Sequence, residues 1–282
     1  MAAHSLRMTQ PAVTMQVQAL EEYFGTKLFN RSTKKVELSE AGKALFPYAK
    51  RSIELMREAK VEMSRFAQKL KGELQLGASL TFGEYILPRI LGPFSSEHPH
   101  VSVSMKVMNT TQIVDEILNH QLTFGIVESL IHHPDVTTEA VLDDELKLIL
   151  PPNHPLLAQN SITLDDVLGF PLILREQGSG TRQVIEESML SKGIDLDELN
   201  IAMELGSTGA VKSAVESGLG VSIISQSAIK HELALGLLHA RDIEGCKFVR
   251  SFYAVYLKSS LLPLSAVVFL TFLRDRDLSR WL

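Results

Sequence analysis

From Leu45 to Leu70 one helical pattern runs without a break. Leu45, Ala49, Ser52, Met56, Ala59, Met63, Phe66 and Leu70 recur at alternating spacings of four and three. That is a heptad seam with one polar lapse at Ser52. With Ser39 as cap and Glu40 as first residue, the helix runs for about thirty residues, long for a helix inside one globular domain. Such a helix sets the residues before it apart from those after it, and its seam suits a second copy of itself. Pro47 is expected to kink it near its start.

The charge divides at the same place. The chain of 282 residues carries a net charge of −5. Residues 1–71 carry +6 and residues 72–282 carry −11. A basic head on an acidic body is the asymmetry of a nucleic-acid-binding module joined to another function. Hydrophobic residues at 45% and charged residues at 22% exclude disorder and collagen-like repeats as descriptions of the whole chain. The chain does not open on a basic-then-apolar leader, and its longest apolar stretch, Leu261 to Leu273, is broken by Pro263, Ser265 and Thr271. That stretch is too short to span a bilayer, so no membrane partner and a cytoplasmic location are expected. The single Cys246 cannot form an intrachain disulfide and agrees with a reducing compartment.

In the head, Thr9 can cap a helix with Pro11 in its first turn. Val13, Val17, Leu20 and Phe24 form one helical face, and Gly25 is suited to end the helix. A polar, basic stretch from Asn30 to Lys35 comes next, then a short strand at Val36–Leu38. Helix, basic hairpin and helix outline a winged helix-turn-helix. From Glu73 onward strands and helices alternate. Strands are expected at 74–78, 101–107 and 124–127, with helices at 83–94 and 111–119 between them. A second series has strands at 146–150, 172–174, 200–204 and 221–224, helices at 164–168, 181–192 and 210–217, then a strand at 249–257 and a closing helix at 262–274. This order predicts a mostly parallel sheet in each of two α/β lobes, with a cleft between them.

Thr9-Gln10-Pro11-Ala12-Val13-Thr14, then Leu20-Glu21 and Phe24-Gly25, Leu28-Phe29-Asn30-Arg31 and Leu38-Ser39-Glu40-Ala41-Gly42 form a long gapped pattern. It resembles the LysR-type transcriptional regulators, and the resemblance covers essentially the whole chain. It implies an α+β multidomain fold: a partial winged helix-turn-helix at 1–42, a linker and dimerisation helix at 43–71, and an effector-binding domain at 72–282. That domain would be two-lobed and like a type-2 periplasmic binding protein, with lobe I at 72–144 and 248–282 and lobe II at 145–247. The family's DNA-binding domain opens with a further helix, upstream of what stands here as Ala2 to Leu6. With Met1 inside the second helix, helix 1 is expected to be absent and apolar faces of the others exposed. The resemblance implies double-stranded promoter DNA, a small-molecule inducer and a second copy of the chain, as homodimer or homotetramer, as partners. It implies no cofactor and no catalysis. The alternative is a cytoplasmic small-molecule-binding module whose incomplete head does not bind DNA.

On the recognition helix Thr9, Gln10, Pro11, Thr14, Gln16 and Gln18 are the candidate DNA-reading residues, because glutamine can pair with adenine and threonine can touch a thymine methyl. Arg31, Lys34 and Lys35 in the wing, with Lys27, are candidates for phosphate or minor-groove contacts. In the body, four loops join strand ends to helix starts, where free backbone N–H groups favour an anion. They carry Ser79 and Thr81; Thr110 and Thr111; Gly178, Ser179 and Thr181; and Ser207 and Thr208, with Glu128 completing the effector-binding set. Arg175 to Arg182 looks like the branch holding Calvin-cycle and sulfur-assimilation regulators. A small anion, such as a phosphorylated metabolite, a sulfite-like oxyanion or a carboxylate, is the expected inducer.

Other chemistries lack their motifs. Gly178-Ser179-Gly180 has Gln183 where a dinucleotide fingerprint needs glycine, and no Walker A sequence occurs. His231-Glu232 has Leu235 where a zinc-protease helix needs its second histidine, and no Gly-x-Ser-x-Gly elbow occurs. His132-His133 before Pro134 reads as a surface loop, and Cys246 as a free thiol.

Overall fold

The structure is a computed structural model that describes residues 8–31, 36–66, 71–260 and 262–278. Lys34, Lys35 and Leu70 lie outside the described residues, as do the side chains of Arg31 and Phe66. The chain divides into two compact units, Met1–Gln68 and Lys69–Leu282.

In the first unit, α1 (Gln10–Phe24) is capped by the Thr9 hydroxyl, which accepts from Ala12 N–H, and carries Pro11 in its first turn. Gly25 ends it in the left-handed conformation, with φ 65°. β1 (Phe29–Arg31) and β2 (Val36–Leu38) pair antiparallel. Glu21 ties the helix to this hairpin. Its carboxylate accepts from Lys27 Nζ at 3.0 Å and from the backbone N–H groups of Leu28 and Phe29. The Lys27 bond, then those N–H groups, hold its pKa below the usual carboxylate value. α2 (Glu40–Phe66) continues through Pro47 as one helix.

The second unit is built on β3 (Gly72–Ala78), β4 (Val101–Val107), β5 (Gly125–Val127), β6 (Val136–Leu150), β7 (Leu172–Arg175), β8 (Ile201–Leu205), β9 (Ser222–Ser225), β10 (His239–Arg241) and β11 (Phe248–Leu257). Its helices are α3 (Leu87–Glu97), α4 (Thr110–Leu118), α5 (Leu164–Leu168), α6 (Gly180–Ser191), α7 (Thr208–Glu216), α8 (Lys230–Ala234) and α9 (Leu264–Asp275). The expected helix at 83–94 is instead a wide π turn, Phe82–Ile86, followed by α3 with Pro88 in its first turn. The short α8 and β10 were not expected from the sequence.

The pairing corrects the expectation of a mostly parallel sheet. β3 pairs parallel with β4 and β5, and β7 pairs parallel with β8. The pairs made by β6 and β11 are antiparallel: β11 with β5, β11 with β6, and β6 with β9 and β10. β6 starts ten residues before the strand expected at 146. The run Asp143-Asp144-Glu145 hid its first part, yet Val141, Asp144, Leu146 and Leu148 are all buried on it.

β6 and β11 pass through both halves, and the packing separates around them. Val141 and Phe252 pack with Phe82, Phe94, Ile126 and Phe269, whereas Leu146 and Phe248 pack with Leu172, Ile185 and Val221. Each half therefore has its own core, and residues 142–146 and 248–252 form the waist between them. In the first core Phe94 meets Phe269 and Phe272 edge-on, at centroid distances of 5.1 and 5.4 Å. Phe94→Ala is predicted to destabilise the unfolding transition of the second unit by about 3–5 kcal/mol in a urea titration.

Candidate functional site

At the waist lies Arg250, on the buried face of β11 between Phe248 and Phe252. Its guanidinium holds two carboxylates. Nη1 donates to Glu128 Oε2 at 2.7 Å, and Nε donates to Asp144 Oδ2 at 2.9 Å, with Nη2 lying 2.8 Å from the same oxygen. All three side chains are at least 97% buried. Ser225, at the end of β9, donates to Asp144 Oδ1 at 2.8 Å.

Glu128 comes directly after β5 and meets the opposite wall. Thr81 N–H donates to its Oε1 at 3.0 Å, and the Thr181 hydroxyl to its Oε2 at 2.6 Å. Burial pushes the Glu128 pKa up, but the Arg250 charge and the bonds from Thr181 and Thr81 outweigh it and bring it down to about 2. Asp144 goes the other way. Burial, with the Glu128 charge beside it, raises its pKa against the lowering by Arg250 and Ser225.

The opposite wall is the start of α6, and two glycines let it approach. A Cβ on Gly180 would stand 2.6 Å from Glu128 Cβ and 2.8 Å from Thr110 Oγ1, and one on Gly178, at φ 84°, would stand 2.8 Å from Thr111 Oγ1. No side chain fits there unless the halves separate. Thr111 N–H donates to Gly178 O at 3.3 Å, and Asn109 Nδ2 to Glu176 Oε1 at 3.4 Å. Further along, Lys212 of α7 stands over the Tyr85 ring, 4.6 Å from its centroid, while donating to Glu232 and to Ala228 O.

Four buried hydroxyls in this region make no hydrogen bond within the chain: Ser79, Thr110, Ser129 and Ser179. Each belongs to a residue at most 4% exposed. A buried hydroxyl without a partner is costly, so these four mark the junction as chemically unfinished within the chain. Ser79 comes after β3, Thr110 opens α4, Ser129 is next to Glu128 and Ser179 precedes α6. The start of α6, whose cap residue Ser179 makes no side-chain cap bond, adds its first N–H groups as donors.

Ser79, Thr81, Thr110, Thr111, Glu128, Gly178, Ser179 and Thr181 thus lie along one junction. The fourth loop differs. Ser207 caps α7, accepting from Ala210 N–H at 3.1 Å, and Thr208 accepts from Arg175 Nη1 at 3.0 Å. Arg175 is itself held by Glu176. Arg250, Asp144 and Ser129 escaped the reading of the sequence. The signal for Arg250 was its parity: it alternates with Phe248 and Phe252 on the inward face of a strand.

A depression on the second half, lined by residues including Glu145, Lys147, Arg241 and Cys246, shares none of these residues. Lys147 there pairs with Glu145 and Asp242, and Arg241 donates to backbone carbonyls. Burial pushes the Cys246 thiol up, away from the reactive thiolate. Among the described residues no group of side chains could hold a metal ion, and no helix is long and apolar enough to cross a membrane.

In the first unit Gln10, Gln16 and Gln18 are exposed, and Thr14 donates its hydroxyl to Gln10 O at 3.0 Å. Thr9 serves as cap and Pro11 lies in the first turn. Lys27 pairs with Glu21 at 3.0 Å while its side chain stays 78% exposed. Arg31 ends β1.

Arg250→Ala leaves two carboxylates buried without their cation and is predicted to cost about 3–5 kcal/mol by urea unfolding at neutral pH. Glu128 has its pKa lowered in the fold. The stability it contributes is present above pH 4.5, the ordinary glutamate value, and is lost as pH falls toward about 2. Glu128→Gln is predicted to remove that component, roughly 3 kcal/mol, from the acid limb of stability against pH.

The sequence matches the LysR substrate binding domain over residues 67–277 and the bacterial regulatory helix-turn-helix protein of the lysR family over residues 1–43. It is 32% identical over 276 residues to the HTH-type transcriptional activator CmpR of Synechocystis sp., covering 98% of this chain and 90% of that one. It is 34% identical over 257 residues to a protein of Cyanidioschyzon merolae named "Probable RuBisCO transcriptional regulator", covering 90% and 85%. The solved regulatory domain of Synechocystis CcmR in complex with 2-PG superimposes with a TM-score of 0.66 at 31% identity, covering 73% of this chain and 97% of that one. The chain belongs to the LysR family of transcriptional regulators, with a helix-turn-helix segment and an effector-binding domain of the periplasmic-binding-protein-like fold.

Proposed function

We propose that a small anion, a phosphorylated metabolite or a similar oxyanion, binds between the two halves of the effector-binding domain and changes how this regulator occupies promoter DNA. The observation that carries this reading is the set of four buried, unpartnered hydroxyls of Ser79, Thr110, Ser129 and Ser179 beside two helix starts. Neutral donors and helix N-termini suit an anion without a free cation. The relative in complex with 2-PG supports the choice of class.

On this reading residues 1–42 bind DNA, residues 43–71 pair two chains, and residues 72–282 sense the inducer in the cytoplasm. Gln10, Gln16 and Gln18 face outward on α1, as groove-reading residues must. The seam of α2 supports self-association: Met56 and Met63 are 63 and 59% exposed. Seams of this kind are buried in a dimer, whose two-fold symmetry fits a palindromic site.

Calorimetric titration of the full chain with 2-PG, inorganic phosphate, sulfite and small carboxylates is predicted to show binding of at least one anion. Ser79→Ala and Ser179→Ala are predicted to weaken it about tenfold each, at one hydrogen bond to a charged group apiece. Binding by neutral or cationic compounds alone would overturn the reading.

A further inference from the structure

The cluster at the waist holds two carboxylates around one guanidinium, so an entering anion finds Arg250 already paired. Glu128 also takes the donors an anion would want. Its two oxygens accept from Thr81 N–H at 3.0 Å, from the Thr181 hydroxyl at 2.6 Å and from Arg250 Nη1 at 2.7 Å. These donors come from the loop after β3, the start of α6 and β11. Arg250 Nη1 also lies 2.9 Å from Thr181 Oγ1, so the donors surround one point. Next to that point Thr110, Ser129 and Ser179 have no partner. One part of the pocket is satisfied by a carboxylate of the chain, and the adjoining part is left unsatisfied.

We propose that the Glu128 carboxylate occupies the anion subsite of the cleft and that inducer binding is an exchange, in which the ligand's anionic group takes the donors of Thr81, Thr181 and Arg250 as Glu128 leaves them. This rests on the reading that an anion binds in the cleft. The exchange leaves an anion beside Arg250 before and after, so the buried guanidinium is not left without a partner. It also makes Glu128 a specificity-determining residue. Only a ligand group that is anionic and accepts at least as many hydrogen bonds can replace it, and a neutral analogue of the same shape cannot. Because Glu128 lies on the first half and Thr181 on the second, its release frees a bond between the halves and links occupancy to their arrangement.

The test compares the full-length wild-type chain with Glu128→Gln, using inorganic phosphate and 2-PG as probes. Glutamine keeps the size and one acceptor oxygen but is a neutral, weaker competitor. Exchange predicts at least tenfold tighter binding by the variant in calorimetry, with no comparable gain for neutral glycerol. Equal or weaker binding by a variant that still melts cooperatively would overturn it, and a crystal structure with the probe separates exchange from simple relief of charge repulsion. A crystal structure of the wild-type chain with either probe decides the matter without the variant. The expected result is a ligand oxygen within hydrogen-bond distance of Thr81 N, with the carboxylate displaced. A probe bound at Ser79, Thr110 or Ser179 with Glu128 still on Thr81 and Arg250 overturns the exchange alone. Failure of both probes to enter the cleft of either form overturns the exchange, and failure of every anion tried overturns the reading beneath it.

Discussion

Arg250 is the residue on which the effector-binding domain turns. It sits on one of the two strands that pass between the halves, it is buried, and it carries a charge that the interior does not tolerate alone. Two carboxylates are therefore fixed beside it, Asp144 on the other crossing strand and Glu128 at the end of β5. A buried ion pair of this kind adds little net stability against an apolar alternative, but its geometry is strict and breaking it is costly. The expense is understandable where two lobes meet around a ligand. The cluster fixes their register, and its acceptors reach across to Thr81 and Thr181.

The glycines around α6 answer to the same constraint. Gly178 and Gly180 resemble part of a phosphate-binding loop, yet their role in this structure is steric: they let the start of α6 come within contact of Glu128, Thr110 and Thr111. The helix brings its unpaired N–H groups with it, and the hydroxyls of Thr110 and Ser179 are enclosed without partners. Close approach and unmatched hydroxyls thus arise together from two missing Cβ atoms.

Much of this was legible in the sequence. The helix starts of α4, α6 and α7, and the loops that hold Ser79 to Thr81 and Gly178 to Thr181, could be placed from periodicity and caps. The resemblance to a known family added the two-lobed body. What was hidden is what depends on the third dimension. The antiparallel crossing of β6 and β11 left no local trace, because three acidic residues in succession obscured β6 just where Asp144 turns inward. Arg250 reads locally as a surface charge; only the parity of its strand places it inside. The pairing of Lys27 with Glu21, which ties a helix to the segment after it, also left no local trace. The bond from Arg175 to Thr208 likewise depends on residues far apart in the chain.

The central claim is that an anion in the cleft of the second unit alters the DNA occupancy of the first. Fluorescence anisotropy of labelled promoter DNA, titrated with the full chain at fixed salt with and without saturating 2-PG, tests it most directly. The expected result is a shift of the binding curve by about fivefold or more, in either direction. Superimposable curves, from a chain that calorimetry shows to be loaded with 2-PG, would contradict it.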